Sequence, residues 1–162
     1  MTLLPVLGRV FARIILDRVH HHLLEHQHPE QSGFTPKRST IDRILALRVL
    51  TERRRDFRQG LLTAYVDLCK AFDSVNQDAL WRILGLRWVP PKLIDLMSEL
   101  YSGIESAVKC GGTISDLFRV VTGVRQGCVL APTLFSTCMD WILGRMLERS
   151  SCSCIVWECQ DL

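Results

Sequence analysis

The sequence predicts a helix-rich α/β (α+β) fold, and three observations carry that expectation. Apolar residues recur at helical spacing in several segments. One short apolar run, residues 61–66, reads as a buried strand and runs directly into an acid, Asp67. Gly111 and Gly112 sit between two segments, residues 106–110 and 117–122, that suit the arms of a hairpin. At 162 residues the chain suits one domain or part of a larger one.

The first helix is expected over residues 5–24, where Leu7, Val10, Phe11, Ile14 and Ile15 form an apolar stripe with Arg9, Arg13 and Arg18 off it. His20, His21, His22, His26 and His28 follow, and adjacent histidines on a helix point in different directions, so they read as a solvated helix end rather than a metal site. Pro29, Gly33 and Pro36 make the next stretch a loop. Ser39 is a natural N-cap with Asp42 three residues on, opening a helix to about residue 57. Ile41, Ile44, Leu45 and Leu47 give that helix an apolar side, and Arg43, Arg48, Arg53, Arg54, Arg55 and Arg58 crowd the rest. After the residue 61–66 strand, a short helix is expected over 77–84, capped by Asn76 and closed by Gly85. Another begins after Pro90 and Pro91, with Leu93, Leu96, Met97 and Leu100 on one face, and ends near Gly103. Past the hairpin and a loop over 123–131, Pro132 opens a last helix to about residue 148.

Composition bounds what the chain does. No apolar run approaches the roughly 20 residues that span a bilayer, and the N-terminus lacks the order of a signal peptide. The expectation is an intracellular protein, nuclear or cytoplasmic. Residues 1–60 hold 11 Lys/Arg against 6 Asp/Glu, whereas residues 61–162 hold 9 against 11. Sixteen of the 20 basic residues are arginine, whose planar fork suits phosphate. The basic front half is compatible with nucleic-acid backbone contact and also with an ordinary solvated helix face. The seven cysteines read as free, buried thiols. Cys152, Cys154 and Cys159 have no histidine beside them and make a poor zinc site.

The most informative stretch is Tyr65-Val66-Asp67-Leu68-Cys69-Lys70-Ala71-Phe72-Asp73-Ser74-Val75. An acid ending a buried strand is usually paired, hydrogen-bonded or bound to a cation, and two acids six residues apart suit a structural role as well as a catalytic one. This segment resembles the first carboxylate motif of reverse transcriptases, in the form used by non-LTR (LINE-like) retrotransposons and group II introns. The resemblance implies that Asp67 is the catalytic, metal-binding acid and that the Leu68 backbone carbonyl also faces the metal. It implies that Phe72 packs under the sugar of the incoming nucleotide and excludes a 2′-hydroxyl, and that Asp73 is a structural, helix-capping acid. Nucleotidyl transfer with two divalent ions fits such a site. Mg²⁺ takes only one or two carboxylates per ion, with substrate phosphates completing its shell. One aspartate can bridge two ions and cannot hold them by itself.

Two further blocks match. Gly123-Val124-Arg125-Gln126-Gly127-Cys128-Val129-Leu130-Ala131-Pro132-Thr133-Leu134-Phe135 resembles the family's Arg-Gln-Gly motif followed by a small residue, Pro and an apolar helix, which implies that Gln126 contacts the nucleotide or templating base. Gly127, lacking a side chain, would let the backbone approach closely. Gln31-Ser32-Gly33-Phe34-Thr35-Pro36-Lys37-Arg38-Ser39-Thr40 resembles a fingers element, with Thr35 where many members carry Arg. Lys37 and Arg38 are then candidates for the triphosphate or template backbone. The resemblance covers about residues 1–150. It implies the fingers (residues 1–60) and a partial palm (61–150) of a right-hand polymerase, with an RNA template and DNA primer as partners and Mg²⁺ as cofactor.

The family's next motif, a hairpin with Phe/Tyr-x-Asp-Asp, has no counterpart here. Residues 151–162 read as an aberrant tail: codons able to encode 156–162 give Phe-Gly-Asn-Val-Arg-Ile one base later. The expectation is a reading frame cut by a frameshift or exon boundary, leaving a truncated fragment inactive by itself, with the 61–66 strand lacking its partners. Two other expectations stay open. The chain could be a non-catalytic nucleic-acid-binding module using Lys37, Arg38, Arg53, Arg54, Arg55 and Arg58, or it could receive the missing half from another chain. The sequence does not give the oligomeric state.

Overall fold

The computed structural model describes residues 5–29 and 31–149. The elements in chain order are α1 (Val6–Glu25), α2 (Thr40–Asp56), α3 (Gln77–Leu86), α4 (Pro91–Tyr101), β1 (Glu105–Ser106), β2 (Lys109–Cys110), β3 (Thr113–Ile114), β4 (Phe118–Arg119) and α5 (Ala131–Arg149). Helix starts follow their local chemistry. Ser39 accepts from the Ile41 N–H, and the Asp42 carboxylate reaches back to the Ser39 N–H at 3.1 Å, a complete capping box. Asn76 caps α3 by accepting from the Ala79 N–H at 2.8 Å. Gly85 does not close α3 as expected; it lies inside the last turn, its face towards Ile94 of α4.

Gly111 and Gly112 make the expected turn, both with positive φ (56° and 87°), as a two-residue hairpin requires. The hairpin is split into two short antiparallel pairs, β2 with β3 and β1 with β4. Between them Ser115 takes over the ladder, its N–H donating to the Val108 carbonyl and its hydroxyl accepting from the Val108 N–H.

One core holds the molecule together. Ala12, Ile15, Val19 and Leu23 of α1 pack with Leu80 and Leu84 of α3, Met97 and Tyr101 of α4, and Leu134 and Cys138 of α5. The buried stripe of α1 is therefore rotated from the expected one. Ile15 belongs to both, while Leu7, Val10, Phe11 and Ile14 stay exposed. The helix is apolar on two sides, and the described body covers one of them. The apolar side of α2 is likewise uncovered, with no residue of that helix buried. On α4, Met97 is buried and Leu96 is exposed.

The strand expected at residues 61–66 does not form. Residues 61–68 make no ladder, and Leu62, Tyr65 and Val66 are 97%, 81% and 80% exposed. A strand exists only against a neighbour, and among the described residues none lies alongside. The apolar, aromatic-containing run is thus correct as composition and wrong as burial. Together with the bare sides of α1 and α2, it leaves extensive apolar surface, the kind that drives association. The 162-residue chain expressed alone is expected to self-associate. A monodisperse peak on size-exclusion chromatography with a cooperative melt would contradict that.

The cysteines also divide. Cys128 and Cys138 are buried, but Cys69 and Cys110 are exposed, against the expectation of buried thiols; all four are free. Burial pushes the Cys138 thiol up to about 11, which keeps it protonated and unreactive near neutral pH. Cys152, Cys154, Cys159 and the whole 151–162 tail lie outside the described residues. None of the described helices is long and apolar enough to cross a membrane.

Candidate nucleotide and nucleic-acid site

The three matching blocks, far apart in the chain, meet at one place. Phe72 stacks on Phe135 of α5, with ring centroids 4.6 Å apart and planes at 16°. Phe34 stands perpendicular to both, at 5.9 Å from Phe72 and 6.5 Å from Phe135, with interplanar angles of 87° and 88°. Such stacked and edge-on pairs are the favoured aromatic geometries. Each ring comes from a different block: the residue 31–40 loop, the Asp67 segment, and the helix that follows Arg-Gln-Gly.

A backbone latch joins the second and third of these. The Val124 N–H donates to the Phe72 carbonyl at 2.8 Å, and the Gly123 N–H donates to the Val75 carbonyl at 2.7 Å. The Gln77 side-chain amide donates to the Gly123 carbonyl at 3.0 Å, and Asn76 bridges antiparallel to Thr122. Gly123 makes this approach possible. A Cβ there would stand 2.8 Å from the Asp73 Cα, and its φ is +87°.

Loop 31–40 is fixed from the other side. The Gln31 amide donates to the Ser136 hydroxyl at 2.9 Å, which in turn donates to the Gly33 carbonyl at 3.1 Å. The Gln27 amide donates to the Thr35 hydroxyl at 2.6 Å. Thr35, standing where many relatives of the motif carry Arg, is thereby a loop-fixing residue here. Beneath the loop, the buried Asp140 of α5 accepts from the His28 N–H at 2.9 Å and pairs with Arg87, which also donates to the His26 carbonyl. The Arg87 guanidinium lies over the Trp141 ring, 6.0 Å from its centroid.

Around this frame the candidate residues are placed as follows. Asp67 is exposed, its carboxylate without a protein partner among the described residues, and the Leu68 carbonyl accepts no hydrogen bond from them. Asp73 does not cap a helix, since Asn76 does that; its carboxylate accepts from the Gln126 amide at 3.4 Å. Gln126 and Gly127 are exposed, and Gly127 takes φ +83°, so its glycine is required by backbone conformation. A cleft of about 240 Å³ opens beside this pair, lined by Asp73, Gln77, Thr122, Arg125 and Gln126. Tyr101 backs the Arg-Gln-Gly loop. Burial, with the neighbouring Cys128 thiol adding to it, pushes its phenol far above the usual range, so it stays neutral.

Lys37 and Arg38 are exposed, Lys37 at φ +63°. Arg53, Arg55 and Arg58 are exposed around the end of α2. Arg54 is partly withdrawn, its guanidinium bonded to the Gly60 carbonyl at 3.0 and 2.7 Å and to the Gln59 side chain at 2.7 Å. Sequence reasoning missed Arg87 and Asp140, and it held Phe135 only as the last residue of the Arg-Gln-Gly block, with no role assigned. An acid on the apolar stretch of α5 was the available signal for Asp140, since such a charge demands a partner.

A family model described as reverse transcriptase (RNA-dependent DNA polymerase) matches residues 1–157. The chain is 30% identical over 151 residues to the Transposon TX1 uncharacterized 149 kDa protein of Xenopus laevis, covering 92% of this chain and 11% of that protein. It is 28% identical to the Retrovirus-related Pol polyprotein from type-1 retrotransposable element R2 of Nasonia vitripennis, over 93% of this chain and 14% of the relative. It is 27% identical to the RNA-directed DNA polymerase from mobile element jockey of Drosophila funebris, over 83% of this chain and 15% of the relative. The chain thus spans well under a fifth of the length of these curated relatives. A family model matched almost from end to end, with relatives from non-LTR retrotransposons and three motifs meeting at one site, makes this chain a member of the reverse transcriptase (RNA-dependent DNA polymerase) family.

Proposed function

We propose that this chain serves RNA-templated DNA synthesis in non-LTR retrotransposition, contributing the nucleotide-facing frame of the polymerase and one of its metal-binding acids. Residues 1–60 act as fingers and 61–150 as part of the palm, with α1 and α5 packed in a common core across that boundary. The observation that carries the reading is the meeting of Phe34, Phe72 and Phe135, one from each motif block. Phe72 then faces the sugar of the incoming deoxynucleotide. Gln126, held by Asp73, contacts the nucleotide or templating base, and Gly127 lets the backbone come close. Lys37 and Arg38 take phosphate, while Arg53, Arg55 and Arg58 offer exposed positive charge to the RNA template and DNA primer.

Mg²⁺ is the family's cofactor, and its donor set is only partly present in these residues. Asp67 offers a free carboxylate and Leu68 a free carbonyl, which fit one share of an oxygen-ligated site. Asp73 is engaged by Gln126, and among the described residues no three acidic, His or Cys side chains converge. The sequence holds no adjacent aspartate pair. The described residues thus supply one share of a two-ion site, the Asp67 carboxylate and the Leu68 carbonyl.

A graft tests the proposal. Residues 5–149 replace the matching segment of the jockey polymerase, and primer extension on an RNA template is measured with Mg²⁺. Extension is expected to survive the graft and to fall at least about a hundredfold with Asp67→Asn. Extension that is indifferent to Asp67→Asn would remove Asp67 from the chemistry.

A further inference from the structure

We infer that Phe135 is a positioning residue for Phe72, and that the Phe135–Phe34 support decides how sharply the site rejects a ribonucleotide. The inference rests on the reading that Phe72 faces the nucleotide sugar. A ring excludes a hydroxyl only if it cannot retreat. Phe72 sits in a turn and is only half-buried, so its own surroundings do not immobilise it. What stands behind it is Phe135, 8% exposed, stacked nearly parallel at 4.6 Å and carried on α5. Phe34 closes a second side, perpendicular at 5.9 Å, from a backbone held at φ +52°.

The support is itself braced. Ser136, the residue after Phe135, receives the Gln31 amide and donates to the Gly33 carbonyl, which fixes the loop carrying Phe34. The Phe72 carbonyl is tied to the Val124 N–H, so the turn cannot carry the ring away as a unit. Removing the Phe135 ring leaves space directly behind Phe72 and no stacking partner. The ring can then tilt back and admit a 2′-hydroxyl. Neither Phe135 nor Phe34 needs to touch the nucleotide for this.

The test uses the 162-residue chain in Mg²⁺, diluted below the concentration at which it self-associates, with dGTP and GTP as ligands observed by saturation-transfer NMR. Wild type is expected to hold dGTP several-fold more tightly than GTP. Phe135→Leu should narrow that ratio by about threefold, the share a stacked ring pair contributes, with dGTP affinity little changed. Phe135→Tyr keeps the ring and should keep the ratio. Phe34→Leu, at an exposed position that tolerates change, should narrow it by less and serves if Phe135→Leu fails to fold. An unchanged ratio in Phe135→Leu or, failing that, in Phe34→Leu overturns the inference. A second readout is the Phe72 ring resonance without nucleotide, expected to lose its ring-current shift in Phe135→Leu and keep it in Phe135→Tyr. No shift difference also overturns the inference. Failure of the underlying reading looks different: wild type itself does not separate the two nucleotides, and Phe72→Ala changes nothing, while the ring resonance still responds to Phe135→Leu. The inference about selectivity then falls with that reading.

Discussion

Asp140→Ala is expected to destabilise the protein by about 3–5 kcal/mol, enough to leave much of a marginal fold unfolded. Asp140 and Arg87 are 2% and 8% exposed, and the pair is the only buried ion pair among the described residues. The surrounding bonds explain the size of the effect. Asp140 holds both the Arg87 guanidinium and the His28 N–H, and Arg87 also bonds the His26 carbonyl. Truncating the acid strands a guanidinium in the interior with one carbonyl and the Trp141 face for company. A single uncompensated buried charge is far costlier than the loss of an intact pair is. The double variant Arg87→Met/Asp140→Leu, which removes both charges, should therefore lose much less than Asp140→Ala alone. Urea unfolding followed by tryptophan fluorescence measures both. Equal losses in the two variants would mean that packing, and not the stranded charge, sets the cost.

The same pair marks where the sequence stopped being legible. Features written in neighbouring residues were readable: the Ser39/Asp42 capping box, the Asn76 cap and the Gly111-Gly112 turn are each decided within a few positions. The three motif blocks were readable too, because each carries its chemistry in a short run. Their convergence was not. Phe34, Phe72 and Phe135 are separated by tens of residues, and no periodicity says that their rings touch. Arg87 and Asp140, 53 positions apart, are invisible for the same reason. Apolar composition misled in the opposite direction. Residues 61–66 and the outer sides of α1 and α2 have the pattern of buried faces, yet a pattern states what an element can bury and not whether a neighbour is present. The family resemblance made Asp73 a helix-capping acid, but Asn76 caps α3 as its own position predicts, and the Asp73 carboxylate turns to Gln126.

Gly123→Ala should be the most damaging change confined to the candidate site, costing about 2–4 kcal/mol from strain and lost latch hydrogen bonds together. At φ +87° any side chain is strained. The added methyl would also meet backbone: the Asp73 Cα at 2.8 Å and the Asp73 and Phe72 carbonyl oxygens at 3.0 Å. Backbone cannot step aside as a flexible side chain can, so the two segments must part. Parting them breaks the Gly123–Val75 bond, at 2.7 Å, and the Gln77 contact to the Gly123 carbonyl, and it draws Gln126 away from Asp73. Gly111→Ala separates the two causes. Gly111 also has a positive φ, 56°, but a Cβ there meets nothing within 4 Å, so only the conformational strain of about 1 kcal/mol applies. Thermal denaturation of the two variants side by side reads the difference. If Gly123→Ala costs no more than Gly111→Ala, the close approach is not what holds the Asp67 segment to the Arg-Gln-Gly loop. If it costs the full amount, a single missing methyl group is what lets the Asp67 segment and the Arg-Gln-Gly loop share one site.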